Sequence, residues 1–131
     1  MKITVSVVLS LLGVATAGAW AKDKVPGDVA SLLQRRCAVC HKGKVPPRGL
    51  NWEPTQIAAA IDRPSSEAPE LKIIDTASPE ASYLLKKVRG DAGIKGSRMP
   101  LGAVLGADEI KILETWIRGL KKLPVPASTR A

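Results

Sequence analysis

The chain has 131 residues and carries twenty Lys and Arg against twelve Asp and Glu, a formal charge of +8. That length suits one domain and is short for two. Two Cys, one His and two Met exclude multi-His metal sites, multi-disulfide scaffolds and any Cys₄ cluster. With three Trp, one Tyr and no Phe, a small core needs a further source of stability such as a metal, a disulfide or a cofactor.

Residues 1–21 read MKITVSVVLSLLGVATAGAWA. Lys2 is the positive start, an uncharged and mostly apolar run follows, and two A-x-A patterns end it. This is the grammar of a secretory signal peptide, with cleavage expected after Ala21 and Ala19 as the second choice. An uncleaved anchor is the competing reading. The apolar run is shorter than the roughly 20 residues that span a bilayer. A soluble, periplasmic mature protein is therefore expected, with no stable membrane insertion.

Residues 22–27 are a polar lead-in to a domain expected over 28–122. Asp28 can cap a helix over 28–36, with Val29, Leu32 and Leu33 at helical spacing. Residues 42–51, rich in Gly and Pro, read as loop. A short helix is expected over 55–62, then an irregular stretch over 63–77 with one extended piece. Ser78, Pro79 and Glu80 form a good helix start. That helix is predicted to reach about Val88 and to end at Gly90, with Tyr83, Leu84 and either Val88 or Lys87 facing inward. Residues 89–106 form a long Gly-rich loop, and such loops are often functional. The clearest helix covers 108–120, where Ile110, Leu113, Trp116, Ile117 and Leu120 make one stripe. Lys121 and Lys122 suit its negative end. Pro124 and Pro126 prevent extension, leaving 123–131 as a frayed tail. No internal repeat and no convincing strand pair is present, so the fold class is all-α.

The rarest residues carry the chemistry. Cys37-Ala38-Val39-Cys40-His41 is C-x-x-C-H, the attachment motif of c-type haem. Two thiols must reach two vinyl groups of one porphyrin, and the two intervening residues set that separation. The adjacent imidazole then lies beneath the iron. A dithiol redox motif would need a βαβ context, a structural zinc would lack a fourth ligand, and a plain disulfide leaves His41 unexplained. With His41 engaged, no second His exists. Met99 is the only Met beyond the first residue, and it sits in the loop Gly96-Ser97-Arg98-Met99-Pro100. It is the candidate distal ligand, and Met/His ligation suits electron transfer. A gap-filling core Met is the ordinary alternative.

These motifs resemble those of small monohaem cytochromes c of class I, and most closely the planctomycete-type cytochrome c domain. The resemblance rests on residues 37–41, Gly49-Leu50-Asn51, the segment 78–85, Arg98-Met99-Pro100 and the helix 108–117. It spans about residues 28–120. Asn51-Trp52 departs from the Leu-Asp often found there. The resemblance implies a cytochrome c fold: three to five short helices and long loops around one covalent haem, with first and last helices packed together. It implies thioethers at Cys37 and Cys40 and axial iron ligands at His41 and Met99. Pro46 or Pro47 can accept the second imidazole N–H. Arg48, Trp52 and Tyr83 are candidates for the haem propionates, each with an ordinary reading as a solvated Arg, a core Trp and a core Tyr.

Lys42, Lys44, Arg48, Lys86, Lys87, Arg89, Lys95 and Arg98 lie on segments that would surround the haem edge. Such a rim would steer an acidic redox partner, although a generally basic surface explains the same residues. Nucleic-acid binding finds no motif. The expected function is one-electron transfer by a monomeric carrier with no catalytic residue. A peroxidase-like protein or ligand sensor with a labile Met99, and a subunit of a larger complex, are the alternatives.

Overall fold

The computed structural model describes residues 25–120. The expected signal peptide, residues 22–24, Lys121, Lys122 and the tail 123–131 lie outside the described residues. The chain forms three α-helices, α1 (Gly27–Arg36), α2 (Tyr83–Arg89) and α3 (Ala107–Leu120), with three short 3-10 segments all lying between α1 and α2. No strand forms among the described residues; Ile61–Ile74 and Pro64–Lys72 meet only as isolated bridges. The fold is all-α.

Helix α1 begins at Gly27, one residue before the expected start. Asp28 lies in its first turn, where its charge suits the helix dipole, and its carboxylate accepts the Val29 N–H at 2.9 Å. Val29, Leu32 and Leu33 are buried at the expected spacing. Helix α3 buries Leu113, Trp116, Ile117 and Leu120 and packs against both α1 and α2. Trp52, Ile57, Ile73, Ile74 and Leu105 complete the core from the loops. Each fully buried Leu or Ile contributes about 1.5–3 kcal/mol relative to exposure.

Two expected helices are shorter than their sequence suggests. The helix expected over 55–62 is the single 3-10 turn Ile57–Ala60. The helix expected from Ser78 is broken: Pro79–Ala81 forms a 3-10 turn, Ser82 is extended, and α2 starts only at Tyr83. Ser78 makes no side-chain cap. Instead the Asp75 carboxylate accepts the Ala77 and Ser78 N–H groups. Ser82 is fully buried, and its hydroxyl accepts the Asp75 N–H at 2.8 Å. The first donors of α2 find tertiary partners, Tyr83 N–H on Lys72 O and Leu84 N–H on Ile73 O. Orphan N–H groups of a helix start need acceptors, and here the extended piece 72–73 supplies them in place of a local cap.

Candidate functional site

The cysteine motif continues directly from α1. The Cys37 and Ala38 amides both donate to Leu33 O, and the Cys40 and His41 amides donate to Cys37 O at 3.2 and 2.9 Å. The chain thus turns tightly between the two cysteines. Both thiols are free; Cys40 is exposed and Cys37 half-buried. Burial pushes the Cys37 thiol up to about 11, with Glu109 reinforcing and Arg36 opposing. A redox-active C-x-x-C needs the opposite, a lowered thiol pKa. Among the described residues no three His, Cys, Asp or Glu side chains are grouped to hold a metal ion.

His41 is oriented by its own loop. Its Nδ1 lies 3.2 Å from Pro47 O. A carbonyl can only accept, so Nδ1 carries a proton in this contact, and in the neutral imidazole the lone pair is then on Nε2. Of the two prolines named from sequence, Pro47 is the one that meets the ring; Pro46 O accepts from Gly49 N–H. The chain reverses just after Pro47 through two left-handed residues, Arg48 at φ 57° and Gly49 at φ 68°. The His41 carbonyl in turn accepts the Trp52 N–H at 2.9 Å. One loop of twelve residues therefore holds His41 by its ring and by its backbone carbonyl.

Met99 is held differently. Helix α2 ends at Gly90 in the left-handed conformation, which leaves its last carbonyls without intrahelical donors. The Met99 N–H donates to Lys87 O at 3.0 Å, and Arg98 Nε donates to Val88 O at 2.9 Å. The Arg98 chain crosses Gly90 so closely that a Cβ there would meet Arg98 Cδ at 2.8 Å. Beyond Met99, which joins Pro100 through a cis bond, Arg36 donates to Ala103 O and Val104 O at 3.0 and 3.1 Å. Arg36 also pairs with Glu109 at 3.2 Å. The residue before Cys37 thus ties down the chain that follows Met99.

Of the three propionate candidates, Arg48 and Tyr83 come together on one carboxylate. The Tyr83 hydroxyl donates to Glu67 Oε2 at 3.0 Å, and Arg48 Nε lies 3.5 Å from Glu67 Oε1. Lys87 Nζ joins them at 3.2 Å from Oε2. Trp52 is not part of that group; its ring is buried in the core. Burial alone would raise the Glu67 pKa, but the Tyr83 hydroxyl, Lys87 and Arg48 together hold it below the usual carboxylate range. Glu67 and Arg36 were not singled out from the sequence. Glu67 stands in an irregular stretch with no motif, and Arg36 reads as an ordinary basic residue at a helix end.

The large apolar residues left exposed in the described chain are Val39, Val45, Leu101 and Val104. All four flank the two candidate segments: Val39 between the cysteines, Val45 after His41, Leu101 and Val104 after Met99. Compared with known protein families, curated proteins and solved structures, the chain matches none.

Proposed function

We propose that the chain is an exported, monohaem c-type cytochrome of the class I fold, acting as a one-electron carrier. Cys37 and Cys40 would hold one haem c through thioethers, with His41 and Met99 as axial iron ligands. The observation that carries this reading is His41: its Nδ1–H is engaged by Pro47 O, so Nε2 is the free donor, as a neutral imidazole ligand requires. The donor set fits the group, with two free thiols and a thioether on a tethered loop. The exposed Val39, Val45, Leu101 and Val104 also support it, because a flat apolar macrocycle bound there would shield apolar surface.

When bound, the haem iron supplies the redox chemistry by cycling between ferric and ferrous states. The protein's own task is to orient, to exclude water and to keep its ligands in place. The Pro47 carbonyl fixes the imidazole tautomer, and the end of α2 anchors the Met99 backbone. No acid–base residue is assigned, and the protein is not read as an enzyme. Lys42, Lys44 and Arg48, all exposed beside His41, would favour an acidic redox partner through salt-sensitive attraction. No helix among the described residues is long and apolar enough to cross a membrane; export to the periplasm rests on the leader.

The test is an optical spectrum of the purified mature protein, oxidised, then reduced, then exposed to carbon monoxide. A c-type reduced spectrum, the weak far-red sulfur–iron band when oxidised and no carbon monoxide response are expected. A high-spin spectrum or prompt carbon monoxide binding would remove Met99 as a stable ligand and, with it, the carrier reading.

A further inference from the structure

Lys87 is the anomaly of the core. It lies on α2 between Lys86 and Val88, yet it is only 8 % exposed. A lysine is almost never buried unless its ammonium is paired. Here Nζ donates to Lys95 O at 2.7 Å, contacts Glu67 Oε2 at 3.2 Å and stands 6.0 Å from the centre of the Tyr83 ring. The Tyr83 hydroxyl in turn accepts the Lys95 N–H at 3.0 Å. Both backbone polar groups of Lys95 are therefore held by the Glu67, Tyr83 and Lys87 group. The Lys87 carbonyl holds Met99 N–H, four residues further on. One residue thus grips the segment 95–99 with its side chain at one end and its backbone at the other.

We infer that the Glu67–Lys87 pair is a positioning latch for Met99. Its charge is buried to fix the segment that presents the thioether, rather than to stabilise the fold as a whole. The physical reason is that an ion pair drawn partly out of water, here a buried Lys87 against a half-buried Glu67, is a poor source of net stability; what it supplies is the geometry of the segment 95–99. A leucine or methionine at position 87 could fill the core, but could not hold the Lys95 carbonyl. The inference rests on the proposed His41/Met99 ligation for its functional meaning.

The test compares Lys87→Met and Glu67→Gln with the parent protein and with Arg118→Gln, which removes the surface pairs of Arg118 with Glu80 and Glu114 and none of the contacts of segment 95–99. Two readouts are taken on each purified protein: the far-red band with carbon monoxide reactivity, and hydrogen exchange at the Lys95 and Met99 amides. The latch predicts that both variants lose the band, bind carbon monoxide and exchange the two amides about tenfold faster or more, the factor expected for a hydrogen bond to a charged group. Arg118→Gln should change neither. Glu67→Gln keeps the side-chain shape, so it serves even if Lys87→Met folds poorly. If the parent is sealed and the variants stay sealed with unchanged exchange, the latch is overturned and the carrier reading stands. If the parent itself lacks haem or is high-spin, the carrier reading fails; the amide comparison still decides whether the latch holds the segment.

Discussion

The two halves of the candidate site are built by opposite means. The His41 half closes on itself: His41 N–H reaches back to Cys37 O, its ring reaches forward to Pro47 O, and its carbonyl takes Trp52 N–H. Every one of those partners lies within eleven residues of His41. The Met99 half makes almost no such local closure. It is held by the end of α2, by Arg36 at the end of α1, and by the Glu67 group. A local loop is specified by its own turn residues. A segment held from three directions inherits whatever stability those elements have. The imidazole should therefore tolerate distant changes, and the thioether should report them.

The largest effect should come from His41→Ala. On the proposed haem reading, the low-spin spectrum should vanish while the haem stays covalently attached through the cysteines, which acid–acetone extraction would check. The lost hydrogen bond to Pro47 O should itself cost only about 1 kcal/mol, and the lost iron ligand would add to that. Haem lost on extraction would mean that the thioethers do not form.

Gly90→Val should come next and should strike only the Met99 half. The residue sits at φ 74°, and its new Cβ meets Arg98 Cδ at 2.8 Å. Left-handed strain of this kind costs about 1–3 kcal/mol, or a fall in Tm of roughly 4–8 °C per kcal/mol for a domain of this size. The far-red band should weaken with it, while the His41 ring resonances stay in place.

Arg36→Gln tests the link between the halves. It removes the bonds to Ala103 O and Val104 O and the Glu109 pair. A loss of about 1–2 kcal/mol is expected in urea unfolding, since hydrogen bonds from charged donors are worth more than neutral ones. Faster amide exchange should appear over 99–105 and not over 41–52.

Acid gives the smallest and most specific effect. Glu67 is held below its ordinary 4.5 despite burial, by Tyr83, Lys87 and Arg48. A carboxylate depressed in the folded state stabilises fully above its unfolded value, and that contribution is lost as pH falls through the folded one. The Met99 signal should therefore fade below about pH 4.5 ahead of global unfolding. Glu67→Gln should abolish that separate step, and an unchanged step in the variant would assign it to another carboxylate.

Much of this was legible along the chain. The Cys37–His41 motif, the stripe on α3, the buried faces of α1 and α2 and the stop at Gly90 all follow from local rules: spacing, periodicity and the conformational freedom of glycine. Even the Pro47 contact could be narrowed to two carbonyls, because a ring can reach only what its own loop brings near. The break at Ser82 could not be read, since α2 takes its N-terminal acceptors from Lys72 and Ile73. Position 87 is one of two candidates for the inner face of α2, and the structure buries both Lys87 and Val88; the meeting of Lys87 with Glu67 and the reach of Arg36 across to Ala103 and Val104 could not be read. Each of these joins residues distant in the chain, and a charged side chain declares nothing in sequence about which partner will enclose it. Local geometry determined the imidazole and its thiols; the placing of Met99 was left to helices that meet only once the core has formed.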